Sequence, residues 1–155
     1  MTLYRTGSSV NPYIKNPSDI DYVMVLDIGE QPPTKKKCNT KTYEVHENEV
    51  ELWRWNYKYM IAIEGKPQTF TSFFELRSRY IARLKKFLFH KDKRKDYKNS
   101  KLYYYCLQGL YILENNSYDL TAEQANNVQL AHDGKLPQEV KDWLYERVAE
   151  LSKHY

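Results

Sequence analysis

Two short apolar segments joined through a glycine–serine bend constrain this chain more than any other feature of its sequence. The alternation over Leu3–Thr6 and the nearly unbroken apolar run over Tyr22–Leu26 predict two strands. Between them, Gly7 allows the backbone to approach an anion closely, and Ser8 offers a hydroxyl and an amide at the start of a short helix. The pattern predicts a strand, a phosphate-binding turn, a short helix and a second strand.

Two carboxylates stand where the second strand begins. Side chains at positions i and i+2 of a strand point to the same face, so Asp19 and Asp21 are expected to project together, with Ile20 buried behind them. Neighbouring carboxylates repel each other unless a cation lies between them, and oxygen ligands of this kind suit magnesium. A metal beside a phosphate-binding turn is typical of phosphoryl or nucleotidyl transfer.

Such a site needs a third carboxylate, which helps to hold a second metal ion and accepts a proton from the attacking hydroxyl. The alternation over Thr40–His46 predicts a third strand, and a tight turn would return the chain as a hairpin partner over Glu49–Trp53. Glu47, Glu49 and Glu51 all have suitable parity, so spacing alone does not choose among them.

Helical periodicity dominates the rest of the chain, with capping-box spacing at Ser72 and Glu75 and again at Thr121 and Gln124. Helices are predicted over Arg54–Glu64, Phe70–Leu88, Lys101–Leu113 and Thr121–His132, and from Pro137 onward. Strands first and helices after predict an α+β fold, in which a small mixed β-sheet precedes a helical C-terminal half.

We expect a single domain over residues 1–155. Its sheet, catalytic core and first packing helix would occupy residues 1–67, and its helical half residues 68–155. That half contains a basic linker near residues 90–100, and any soft boundary would lie near Lys93. The chain has a net charge of +4 and 15 tyrosines, which permit a polyanionic partner without requiring one. Cys38 and Cys106 are expected to be free thiols, no apolar run suggests a membrane span, and a cytoplasmic location is expected.

The bend and the acidic pair resemble the signature of the DNA polymerase beta superfamily of nucleotidyltransferases, namely Gly-Ser, about ten residues, and Asp-x-Asp on a strand. Here the signature reads Gly7-Ser8 followed by Asp19-Ile20-Asp21. The chain is most similar to the small predicted nucleotidyltransferases of bacteria and phages. Residues 49–55 followed by Gly65-Lys66-Pro67 resemble the segment that carries their third acid, which favours Glu49. The segment Lys101–Gln108 is similar to their helical Lys-x-x-Tyr/His pattern.

The resemblance implies transfer of an NMP group from an NTP, with ATP the expected donor, to a hydroxyl, with release of pyrophosphate. The acceptor would be an RNA end, a protein side chain or a small molecule. Two magnesium or manganese ions would be held by Asp19, Asp21 and Glu49. Gly7, Ser8 and Ser9 would bind the triphosphate. From composition, Lys101 or the basic run over residues 91–98 would add positive charge.

The chain departs from the family pattern at several positions. Ser9 stands where relatives often carry arginine after Gly-Ser, and Gln108 and His132 stand where they carry arginine in the helical half. Glu49 replaces the usual aspartate. The departures leave a second interpretation open, namely a catalytically inactive nucleic-acid-binding module or an antitoxin-like partner of a second protein.

Overall fold

The computed structural model describes residues 1–17, 20–27, 29–31, 42–46, 55–89 and 99–154, with the backbone alone described for 42–46 and 99–102. The chain forms two compact units, Met1–Thr71 and Ser72–Tyr155. A small mixed sheet lies in the first unit and helices make up the second, so the predicted α+β class is confirmed. None of the helices described combines the length and the apolar composition needed to cross a bilayer.

Four strands form the sheet among the described residues of the first unit, in the order β3-β2-β1-β4. They are β1 (Thr2–Thr6), β2 (Asp21–Leu26), β3 (Thr42–His46) and β4 (Ile61–Glu64). The central strand β1 runs antiparallel to β2 and to β4, whereas β2 and β3 are parallel. A parallel pair needs a crossover of about a dozen residues or more, which residues 27–41 are long enough to provide.

Both faces of the central strands are apolar. On one face Leu3 packs with Met24 and Leu26, and on the other Tyr4 packs with Val23 and Val25. Burial on both sides explains why β2 reads as a continuous apolar run rather than as an alternating one. The core of the sheet therefore lies at β1 and β2, the two strands that flank the glycine–serine bend.

The helix predicted over Arg54–Glu64 is wrong. Residues 55–58 form a single 3-10 turn, and β4 follows as an edge strand paired with β1. The helical spacing of apolar residues in this segment does not reflect a buried face. Two of these residues, Ile61 and Ile63, are about half exposed (53% and 49%). The predicted hairpin partner Glu49–Trp53 and residues 90–98 of the basic linker, with Lys93, lie outside the described residues.

The second unit contains four α-helices among its described residues: α1 (Arg77–Phe89), α2 (Asn99–Asn115), α3 (Ala122–His132) and α4 (Gln138–Ser152). A 3-10 turn over Phe73–Leu76 precedes α1. Helices α2 and α3 pack together, as do α1 and α4. In α4, Leu144, Val148 and Leu151 are buried and Val140 is partly buried.

The two predicted capping boxes differ. At α3, the Thr121 hydroxyl accepts from the backbone N–H of Gln124, and the Gln124 side chain accepts from the backbone N–H of Thr121, so this box is confirmed. At the 3-10 turn, Ser72 makes no side-chain capping bond. Pro137 precedes α4 as its cap rather than opening it as the first helical residue.

A glycine in the middle of α2 determines how closely α1 approaches. The Tyr80 hydroxyl on α1 donates to the carbonyl of Tyr105 at 2.9 Å, and the ring lies over the backbone at Gly109. A β-carbon at residue 109 would overlap the Tyr80 hydroxyl and the adjoining ring carbons. Only a residue without a side chain fits at this contact.

Candidate functional site

Gly7 and Asp21 are brought together at the end of the β1–β2 pair. Thr6, the last residue of β1, lies opposite Asp21, the first residue of β2. The chain then turns at Gly7, where φ is +78°, and a β-carbon placed there would lie 2.7 Å from Oδ2 of Asp21. Glycine is needed both for its backbone conformation and for the close approach of the carboxylate.

The two serines that follow have different surroundings. Ser8 is buried, and its carbonyl accepts from the backbone N–H of Asn11 at 3.2 Å, which closes the 3-10 turn Gly7–Val10. The Ser9 hydroxyl donates to the carbonyl of Thr6 and accepts from Nε of Arg5, both at 3.3 Å. A guanidinium therefore lies beside the turn, although serine occupies the position where the nucleotidyltransferases that the sequence resembles often carry arginine.

A buried amide side chain adjoins the same end of the sheet. Asn56 is 9% exposed, and its Nδ2 donates to the Thr6 hydroxyl at 2.9 Å. Its Oδ1 has no hydrogen-bond partner within the described ranges. Residues opposite each other on neighbouring strands point to the same face, so Thr6 and Asn56 lie on the face that carries the Asp21 side chain. A buried polar atom without a partner is costly unless another group satisfies it.

The sequence prediction of the acidic pair has a mixed outcome. Asp21 lies where it was expected, at the start of β2 and against the bend. The expectation that Ile20 is buried is wrong, because its side chain is 41% exposed just before the strand begins. Asp19 and Glu49 lie outside the described residues. No group of three metal-ligating side chains occurs in the described part of the chain, which includes Asp21 but neither of its predicted partners.

The remaining predicted residues belong to the second unit. Lys101 lies in the first turn of α2, where only the backbone is described. Gln108 is fully buried within the same helix, so it does not face a ligand at the surface. His132 ends α3 with its Nδ1 3.3 Å from Oδ1 of Asp133, and its ring meets Tyr104 edge-on.

Comparison with protein-family models, with curated proteins and with solved structures gives no match in any of the three. The resemblance to nucleotidyltransferases stays a prediction.

Two kinds of binding group lie at the same end of the sheet: one suits a cation and the other suits an anion. The Asp21 carboxylate offers oxygen atoms of the kind that hard divalent cations prefer, and it lies only partly buried at the start of its strand. The glycine turn offers backbone groups that favour an anion, whereas Arg5 lies opposite Tyr22 and therefore points to the other face of the sheet from Asp21. A ligand that carries both a metal ion and phosphate groups, such as an NTP, fits this combination.

Sequence reasoning missed Arg5 and Asn56. Arg5 precedes the glycine–serine bend, and the hydrogen bond from its Nε to Ser9 arises because the 3-10 turn folds back toward β1. Asn56 was assigned to a helix that does not form. In the sequence, Asn56 stands out only as a single amide among aromatic residues. Such a pattern does not distinguish a residue of a functional site from a solvent-exposed residue.

Proposed function

We propose that this chain is a metal-dependent nucleotidyltransferase, which moves an NMP group from an NTP to a hydroxyl acceptor and releases pyrophosphate. The observation that carries the proposal is the packing of the Asp21 carboxylate against the positive-φ turn at Gly7. This packing supports a metal ligand beside a phosphate-binding bend. The reaction type, nucleotidyl transfer, is inferred from the resemblance of the Gly-Ser and Asp-x-Asp motifs to those of nucleotidyltransferases.

Each group has a definite role in the proposed reaction. Asp21 would hold magnesium together with Asp19 and Glu49, and the bound metal would neutralise phosphate charge and acidify the attacking hydroxyl. The turn at Gly7 and Ser8 would hold the terminal phosphates. The acceptor oxygen would form a bond to the α-phosphorus while the bond to the bridging oxygen breaks. Glu49 would accept the hydroxyl proton, and pyrophosphate would leave.

The test uses α-labelled NTPs with magnesium and either total cellular RNA or total cellular protein as the acceptor. We expect label transfer by the wild-type chain and a loss of at least about a hundredfold in Asp21→Asn, which keeps the shape of the side chain and removes its charge. Asp27→Asn is the matched control, because Asp27 directly follows the last residue of the same strand with its side chain 69% exposed. Equal transfer by wild type and Asp21→Asn would refute the proposal.

A second readout does not depend on turnover. Manganese binding in the presence of a non-hydrolysable NTP, followed by electron paramagnetic resonance, should weaken in Asp21→Asn and stay unchanged in Asp27→Asn. Replacing Glu49 and Glu51 separately with glutamine identifies the third acid, because only the metal ligand should weaken manganese binding.

The alternative is a nucleic-acid-binding or antitoxin-like module without turnover. The basic helix α1, with five basic and no acidic residues over Arg77–Phe89, favours a nucleic-acid partner. Nucleic-acid binding that survives in Asp21→Asn, together with no label transfer from any NTP by the wild-type chain, would establish this alternative instead.

A further inference from the structure

Helix α1 presents a surface of one charge sign that ends in an exposed aromatic ring. Arg79, Lys85 and Lys86 are exposed, and the helix has no acidic residue to offset them. Phe89, the last residue of the helix, is 46% exposed and lies one turn beyond Lys85 on the same side. Solubility does not account for an exposed phenylalanine among lysines, because removing a large apolar side chain from water lowers the free energy.

A groove of about 290 Å³ lies where α1 meets α4. Its lining residues are Lys85, Phe89, Ala149, Ser152 and Lys153. Lys85 comes from α1 and Lys153 from the residue that caps α4, and both line the groove together with the Phe89 ring. Tyr145 of α4 meets that ring edge-on at 5.4 Å between centroids, which leaves the ring with a defined orientation.

We propose that this groove binds single-stranded nucleic acid, with one base stacked on Phe89 and the neighbouring phosphates on Lys85 and Lys153. Every base has a flat aromatic face, so stacking on phenylalanine needs no particular sequence, and lysines beside it follow the backbone charge. Charge complementarity selects this partner over other occupants. A membrane-binding helix would expose an apolar stripe, whereas the exposed positions of α1 before Lys85 are Ser78, Arg79 and Ala82. An acidic peptide would pair with the lysines without needing the ring.

Fluorescence anisotropy with a labelled twelve-nucleotide oligouridine, without NTP or magnesium, tests the site. We expect Phe89→Ala to weaken binding about tenfold and Phe89→Tyr to restore it, because tyrosine keeps the stacking face. We expect Lys85→Glu combined with Lys153→Glu to weaken binding further. The slope of log affinity against log salt should also become shallower by about 1.4, since each lost phosphate contact removes about 0.7 for a single strand.

Lys135→Glu is the matched control, because Lys135 is exposed in the α3–α4 connection and its replacement makes the same charge change away from the groove. Circular dichroism of every variant establishes that the fold is retained. The proposal is overturned if Phe89→Ala binds as tightly as wild type, or if Lys135→Glu weakens binding as much as Lys85→Glu. It is also overturned if duplex of equal length binds as well as the single strand, or if only anionic vesicles or an acidic peptide bind.

This inference does not depend on the proposed transferase activity. The assay contains no NTP, and Asp21→Asn should bind the oligonucleotide as the wild-type chain does. Loss of label transfer in that variant with unchanged oligonucleotide binding would support both proposals separately.

Discussion

Oδ2 of Asp21 lies only 2.7 Å from the point that a β-carbon on residue 7 would occupy. The bend and the carboxylate therefore constrain each other, since a side chain at residue 7 would require the Asp21 carboxylate to move. β1 and β2 pair directly up to Thr6 and Asp21. A change at the bend therefore affects the last residue pair of the two strands.

Replacing Gly7 with alanine should cost about 3 kcal/mol of folding free energy, partly from the positive φ and partly from the collision with Asp21. Gly29→Ala is the matched control, because Gly29 has φ of +84° but open space around its β-carbon position. It should cost only about 1 kcal/mol. Urea denaturation measures both. Equal losses in the two variants would mean that the contact with Asp21 contributes nothing.

The hydrogen bond between Thr6 and Asn56 gives a second prediction. Thr6→Val removes the hydroxyl that accepts from Nδ2 and leaves the buried amide of Asn56 without that partner, at a cost of about 1–3 kcal/mol. Asn56→Leu in addition should recover part of the loss, since no buried amide then remains. A double-mutant cycle measured by thermal unfolding gives the coupling energy. Strictly additive effects of the two substitutions would argue against the bond.

Cys106 predicts a specific dependence of stability on pH. Complete burial raises the pKa of this thiol well above its ordinary value of 9.0. The folded chain therefore keeps the proton at a pH where the unfolded chain loses it. The contribution is fully present below about pH 9 and falls by up to about 1.4 kcal/mol per pH unit above it.

The measurement is the free energy of unfolding at several pH values in a Cys38→Ser background, compared with the same chain carrying Cys106→Ala. The difference between the two chains isolates the thiol, because the other groups with raised pKa values contribute equally to both. These groups are the amino group of Met1, whose pKa is raised by hydrogen bonds to Glu30 and Asp27, and the hydroxyls of Tyr111 and Tyr118, whose pKa values are raised by burial. Identical pH profiles for the two chains would contradict the assignment. The same burial should prevent thiol reagents from modifying Cys106 until the chain unfolds.

The capping residues give a fourth prediction. Thr121→Ala should destabilise the second unit by about 1 kcal/mol, because it removes one half of a complete capping box. Ser72→Ala should change stability by less than about 0.5 kcal/mol, because Ser72 makes no side-chain capping bond. Thermal unfolding of both variants provides the comparison. A larger loss for Ser72→Ala than for Thr121→Ala would contradict the observed capping.

The parts of the fold that the sequence predicted well are those governed by local patterns. Alternation and apolar runs located β1 and β2, and helical spacing with a true capping box located α3. The strand β4 was missed because its stability comes from pairing with β1, about 55 residues earlier, and not from its own pattern. When one face of a strand is buried, apolar and polar residues alternate along it. The isoleucines of this edge strand are exposed, so its sequence carries no such alternation.

The candidate site follows the same division. The placement of Gly7 and Asp21 follows from two adjacent strands and the bend at their end, so the sequence predicted it. The Arg5–Ser9 contact depends on how the 3-10 turn folds back, and the Asn56–Thr6 bond joins residues 50 apart. The second contact depends on the assembled fold, and no local pattern encodes it. The first joins residues only four apart, but it forms only once the turn has its 3-10 geometry.

The contact between Tyr80 and Gly109 has a consequence for how homologous chains can diverge. A single change at either position is constrained by the other, because the ring occupies the space that any side chain at 109 would take. Homologues should therefore vary the two positions together: glycine at 109 where 80 is aromatic, and alanine or serine at 109 only where 80 has become small. In an alignment, positions 80 and 109 should covary. This covariation would identify the point where α1 and α2 cross.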